Sequence, residues 1–271
     1  MKKFLILAAV VLVFTSCAQN TEKQTVLCGT SMIASLARDI APGIKNKVIV
    51  PPDACPGHFD LKPQDAADIK RAKLVIIHPY QGVLAEAIKK INKNVKVEIL
   101  KSSALTTPEG YFNGLSEMEA LLNGYYPGNF DEFEKNRQAA VFLIMERVTD
   151  DQIYISCMRK KKVKAAVSAV QKDLAEYFGF VPVAVFGEAE GLTALQISDI
   201  IKGAKKGAAS VILSNLNGSH DTTADIINKE LKLNKAVLLN FPGGTGDETA
   251  FLTLWKYNMA LIKEKAGDCA K

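Results

Sequence analysis

Histidine is scarce in this sequence: His58, His78 and His220 are the only three among 271 residues. Cysteine is nearly as rare, with Cys17, Cys28, Cys55, Cys157 and Cys269 spaced too widely for a zinc-finger type site. Aromatic residues make up 7% and are not interleaved with basic ones. The formal charge of +5 is spread along the chain apart from the run "RKKKVK" at 159–164, which reads as a solvated face, so no nucleic-acid partner is expected. Catalytic motifs are missing too. There is no G-x-S-x-G elbow, no H-E-x-x-H and no P-loop. The glycine-rich "FPGGTGDE" (241–248) lacks the Lys-Ser/Thr of a phosphate loop and reads as a tight turn before the last helix. These absences point away from an enzyme.

Long apolar runs are confined to the N-terminus. "MKKFLILAAVVLVFTSC" places two lysines before an apolar run that ends at Phe14, with Thr15 and Ser16 before Cys17. The run is short for a bilayer span and reads as a secretory signal. Small residues directly before a cysteine resemble a bacterial lipobox, which makes residues 1–16 the signal peptide and Cys17 the lipidated first residue of the mature chain. Residues 17–25 are polar beyond the cysteine and fit a tether. The expected location is extracytoplasmic, anchored by lipid to a bacterial membrane. Outside the cytoplasm cysteines are often paired.

From residue 26 the pattern alternates. "TVLCG", "NKVIVPP", "KLVIIHP" and "VKVEIL" read as strands, separated by helices in "TSMIASLARDIAP", "KPQDAADIKRA" and "GVLAEAIKKIN". Strand–helix alternation implies a parallel sheet with right-handed crossovers. Residues 26–128 form an N-terminal lobe that ends in the helix "PEGYFNGLSEMEALLNG". A long helix is expected over 129–149, with neither Pro nor Gly inside to bend it, which gives a rigid rod and little domain closure. A C-terminal lobe over 150–271 resumes the alternation, with "QIYISCM" expected as a strand and "KVKAAVSAVQKDLAEYFG" as a helix. "VPVAVF", "ASVILSN" and "KAVLLNF" are its further strands. The fold class is therefore α/β: two lobes, each a mostly parallel sheet flanked by helices, joined by one long helix.

In open α/β sheets ligands bind beyond the carboxyl ends of the strands. All three histidines fall there on this reading. His58 lies in "PPDACPGHFDLKP" after the second strand, His78 closes "LVIIHP", and His220 lies in "SNLNGSHD". Cys28 and Cys157 end strands on the same reading, and Glu188 follows "VPVAVF". Imidazole, thiolate and carboxylate are transition-metal donors. The candidate metal set is His58, His78, His220, Cys157 and Glu188, drawn from both lobes. His78 has the alternative of capping the following helix or bonding Tyr80. Cys55 is open between a soft extra ligand and a disulfide with Cys28.

The arrangement resembles the metal-receptor lipoproteins of ABC importers, the zinc and manganese binding proteins with a helical backbone. "GTSMIASLARDIA" is similar to the family's first helix, "VPPDACPGHFDLKPQDAADIKRAKLVI" to its first-ligand segment, and "FDEFEKNRQAAVFLIMERV" to its inter-lobe helix. "ISCM", "SNLNG" and "LLNFPGG" resemble a divergent branch with a C-P-x-H motif. The resemblance implies a monomeric receptor that captures a transition metal, zinc or manganese foremost, with iron, copper, nickel or cobalt as further cargoes. It further implies delivery to an ABC permease with its ATPase. Of the family's ligands only His58 carries over by motif. No histidine stands in "ALTTPEGYF", the segment before the long helix, and there is no His-rich loop. The thinner ligand set leaves an alternative cargo on the same fold: a metal chelate, a corrinoid or another small organic molecule.

Overall fold

A computed structural model describes residues 25–57, 59–243 and 251–267. The first lobe contains strands β1 (Val26–Cys28), β2 (Asn46–Val48), β3 (Leu74–Ile77) and β4 (Lys96–Ile99). Helices α1 (Ser31–Ile40), α2 (Pro63–Arg71), α3 (Gly82–Ile91) and α4 (Pro108–Tyr125) cover them. The second lobe contains β5 (Lys164–Ser168), β6 (Val181–Phe186), β7 (Val211–Asn215) and β8 (Asn234–Leu238). Around them pack α6 (Lys172–Tyr177), α7 (Ala194–Lys206), α8 (His220–Leu231) and α9 (Phe251–Ala266). Between the lobes runs α5 (Phe130–Lys161), 32 residues and about 48 Å long at 1.5 Å per residue.

Both sheets are parallel, and they share one topology. The strand orders are β2-β1-β3-β4 and β6-β5-β7-β8. In each, the order reverses beside the first strand of the lobe, which opens a crevice at the carboxyl ends of the two central strands. β3 and β7 are buried along their whole length, as expected of strands covered by helices on both faces.

Two expectations are corrected just beyond residue 150. "QIYISCM" is not a strand but the last turns of α5. Asp151, Tyr154, Ile155 and Met158 are its buried positions, a spacing of three and four that belongs to one helix face and overrides the β-branched and aromatic content. The strand comes later. "KAAVS" forms β5, although its alanines favour helix, because Ala165 to Ser168 are all buried between helical layers. Only the second half of the expected helix survives, as a short 3-10 turn at 169–171 followed by α6.

The lobes share one hydrophobic core. A continuous cluster runs from Met32, Ile33 and Leu36 on α1, through Tyr111 and Leu115 on α4 and Ile144, Val148 and Ile155 on α5, to Trp255 and Met259 on α9. Tyr111 stacks on Phe251 with ring centroids 4.2 Å apart, so the ring contact itself crosses from α4 to α9. Two polar groups inside this core, the Tyr111 hydroxyl and the Asp151 carboxylate, are tied by hydrogen bonds. The Tyr111 hydroxyl donates to Asp39 at 2.8 Å and lies 2.9 Å from Ser35 Oγ. Asp151, buried on α5, accepts from Trp255 Nε1 and Lys263 Nζ, each at 2.9 Å.

A core shared in this way should melt as one unit. Denaturant unfolding followed by Trp255 fluorescence and by far-ultraviolet circular dichroism should give coincident curves. Separate midpoints would show that the lobes fold independently. Asp151→Ala should lower the stability by about 2 kcal/mol, because it strands a buried indole N–H.

Candidate metal site between the lobes

The cleft is lined from both sides by strand-end segments. After β2 the chain enters the proline-rich loop, in which Ala54 N donates to the Pro51 carbonyl at 3.0 Å and presents Cys55. From the second lobe come Glu188, two residues beyond β6, and His220, the first residue of α8. Cys55 Sγ donates to Glu188 Oε1 at 3.6 Å, and His220 Nε2 lies 3.4 Å from the same oxygen. A thiol from one lobe and an imidazole from the other thus converge on a single carboxylate oxygen.

The ring of His220 is set from behind. Its Nδ1 shares a 3.0 Å hydrogen bond with Ser168 Oγ at the end of β5. That contact leaves Nε2 facing the carboxylate, which is how an imidazole is oriented for a ligand. Burial holds the His220 pKa below the usual histidine range, and the neighbouring Glu188 carboxylate acts in the opposite direction. A neutral imidazole offers a lone pair, which metal coordination needs. Glu188 is placed by backbone geometry. Gly218 has φ +66, and a Cβ there would sit 2.3 Å from Glu188 Oε1. Only glycine gives the carboxylate this room at no steric cost.

His78 belongs to a different environment. It ends the loop-facing side of β3, is buried, and its Nε2 shares a 2.9 Å hydrogen bond with Thr30 Oγ1. The same Thr30 oxygen caps α1 by accepting from Ile33 N at 3.4 Å. Tyr80 stacks on the imidazole at 4.9 Å. The His78 backbone N–H donates to Gln81 Oε1 at 3.0 Å, and Gln81 Nε2 donates to the Gly29 carbonyl at 3.3 Å. These bonds tie β1, α1 and β3 together beneath the loop. Burial pushes the His78 pKa down to about 4.

Cys157 is removed from the candidate set. It sits on the last turns of α5 rather than at a strand end, and it is disulfide-bonded. Nearby Arg159 packs against Gly179, two residues before β6 begins, so this turn lies at the amino ends of the strands, opposite the cleft. The Cys28–Cys55 bridge is also not formed: both residues are thiols. Cys28 is fully buried, and desolvation pushes its pKa up to about 12, which makes it an apolar packing residue and not a thiolate donor. His58 and the proposed lipidation site Cys17 lie outside the described residues. Among the described residues no three His, Cys, Asp or Glu side chains already surround a common ion-sized point. No helix among them is long and apolar enough to cross a membrane.

Asn217, Asn215 and Gln171 are polar cleft residues that the sequence reading passed over. All three are buried at the carboxyl ends of β5 and β7. The signal was present in "SNLNG", where one asparagine ends the buried strand β7 and a second follows it two residues on.

Two α/β lobes on a shared long helix, with a donor set between them, define a class: the two-lobed solute receptors with a helical spine. A family model described as the zinc-uptake complex component A, periplasmic (ZnuA), matches residues 26–265. The chain belongs to that family. No curated protein sequence matches it. Among solved structures it is similar to a Mn-bound periplasmic metal-binding protein from Candidatus Liberibacter asiaticus, at 16% identity and a TM-score of 0.75 over 89% of this chain and 99% of that one. The Cd-bound form of that protein gives 16% identity and a TM-score of 0.76 with the same coverage. A crystal structure of ZnuA gives 15% identity and 0.68 over 88% of this chain and 98% of that one. At these identities the structures establish the shared fold.

Two outcomes follow from this geometry. A histidine held neutral in the folded state near pKa 4, but titrating near 6.5 when unfolded, lets the unfolded chain bind the extra proton between those values. Stability is therefore unaffected by His78 above about pH 6.5 and falls as the pH drops towards 4, by on the order of 3 kcal/mol in all. The stability difference between parent and His78→Gln should change by that order across the window; a difference independent of pH would refute the buried neutral state. Gly218→Ala should cost about 1–2 kcal/mol in denaturant melts, because alanine is strained at positive φ and its methyl displaces Glu188.

Proposed function

We propose that this chain captures a transition-metal ion in the cleft and delivers it to an ABC permease driven by its ATPase. It does so as a monomer outside the cytoplasmic membrane, tethered by lipid on Cys17. The observation that carries the reading is the meeting of Cys55 from one lobe with Glu188 and His220 from the other on one carboxylate oxygen. The Glu188 carboxylate accepts the hydrogen bond of the Cys55 thiol and faces the His220 imidazole. An ion that enters displaces the thiol proton and is held by the same groups. His58, three residues beyond Cys55, is proposed as the fourth donor, and His78 supports the loop from below. The family and the structural neighbours support a metal cargo, since the family model describes zinc uptake and the similar periplasmic protein is known in Mn-bound and Cd-bound forms.

The donor types favour zinc over manganese. Thiolate and imidazole suit zinc, whereas manganese prefers carboxylate, carbonyl and water oxygens. The chain shows none of the catalytic motifs sought in its sequence, and transport of the ion needs only reversible binding.

The test is thermal unfolding of chelator-stripped protein with zinc, manganese, iron, copper, nickel and cobalt ions, with native mass spectrometry of the protein as isolated. Zinc at about 100 times its Kd should add about 2.7 kcal/mol, which is roughly 5–10 °C in a protein of this size. Cys55→Ser and His220→Ala should each weaken zinc by about 100-fold or more, exceeding the 10–100-fold typical of outer-shell changes. Cys55→Ser should leave manganese affinity nearly unchanged. If no ion shifts the melt, metal capture is wrong; a bound mass of several hundred daltons would assign the cleft to a chelate or an organic ligand instead.

A further inference from the structure

The loop that carries Cys55 is attached to the opposite lobe by a relay of three amide side chains. Gln171, fully buried in the turn after β5, donates Nε2 to Asn215 Oδ1 at 2.9 Å. Asn215, the last residue of β7, donates Nδ2 to the Asn217 carbonyl at 2.9 Å. Asn217 then crosses the cleft: its Nδ2 donates to the Pro52 carbonyl at 2.5 Å and more weakly to the Ala54 carbonyl at 3.4 Å. The orientation of this amide is unambiguous, because a flipped group would set its oxygen against two carbonyl oxygens.

The relay stands on fixed ground. Leu216 N donates to the Leu238 carbonyl at 3.0 Å, which ties the residue before Asn217 to β8. The residue after it is Gly218, whose positive φ leaves room for Glu188. One short segment therefore sets both the carboxylate and the loop that brings the thiol to it. The loop depends on this support. Pro51, Pro52 and Pro56 have no backbone N–H to give to a sheet, so its own carbonyls are the groups another element can grip.

We propose that Asn217 is a positioning residue, a clasp that holds the Pro52–Cys55 loop of the first lobe against the second and so sets the release rate of the cargo. The inference rests on the cleft reading for what is released, but the clasp itself exists without an ion. Two N–H···O bonds across the cleft hold the loop; without them it swings on its prolines and carries Cys55 away from Glu188.

The experiment uses Asn217→Asp, which keeps the shape of the side chain but puts a carboxylate oxygen where the N–H was, and Asn217→Ser, which is too short to reach. Alkylation of chelator-stripped protein, read by mass on the peptide that contains Cys55, should run about tenfold faster in both variants than in the parent. Zinc dissociation should accelerate by about 10–100-fold, the range for residues that orient a ligand. Labelling and zinc release at the parent rates would overturn the clasp. Faster labelling with no zinc binding by parent or variant would leave the clasp standing and remove the cargo reading. The parent chain supplies an arm that needs no variant to fold. Its Ala54 amide, which bonds the Pro51 carbonyl inside the clasped loop, should exchange with deuterium at least about tenfold slower than unprotected chain, and exchange at the unprotected rate overturns the clasp as well.

Discussion

The constraint on which the rest depends is the continuous core along α5. A helix of 32 residues without Pro or Gly spans both lobes, and the apolar cluster that covers it includes residues of α1, α4 and α9. Two lobes joined by a flexible linker would meet only when a ligand drew them together. Here the meeting is made in advance by packed side chains, whose displacement would open voids in a close-packed interior. The buried Asp151, held by Trp255 and Lys263, adds a polar tie in the same layer, between α5 and α9.

That pre-set distance explains why the cleft can be built from weak partners. Cys55, Glu188 and His220 interact at 3.4 to 3.6 Å, contacts too loose to hold two domains together. The rod and core hold the frame, and the cleft groups need only be aimed. Each is aimed from behind: His220 by Ser168, Glu188 by the space above Gly218, the Cys55 loop by Asn217.

The two buried histidines show how position decides chemistry. Both lie at the carboxyl side of a parallel sheet, and burial keeps both below the ordinary histidine pKa. His220 has a hydroxyl on Nδ1 and a carboxylate opposite Nε2. His78 gives Nε2 to Thr30 and its flank to Tyr80. The first arrangement leaves Nε2 directed at the cleft carboxylate beside Cys55. The second uses Nε2 to fasten α1 to β3.

Much of the architecture was legible in the sequence. Alternating apolar strands and amphipathic helices define two parallel sheets, because each strand of a parallel pair needs a crossover and each helix shows its buried face by its spacing. The absence of Pro and Gly after residue 129 likewise announced a long rod. The legible period failed where two signals competed: β-branched and aromatic residues at 152–158 suggested a strand that the helical spacing of buried side chains overrode, and the alanines of β5 suggested a helix. Chain order alone also placed Glu188 and His220 at strand ends. What only the tertiary structure decided is which strand-end residues face one another. Cys157 left the site because α5 continues to Lys161 and delivers it to the opposite end of the sheet. Cys55 joined Glu188, 133 positions away, because the shared core fixes the lobes. Local patterns are set by neighbours along the chain, whereas a donor set between lobes is set by how two sheets stand on a common helix, and no spacing in the sequence encodes that.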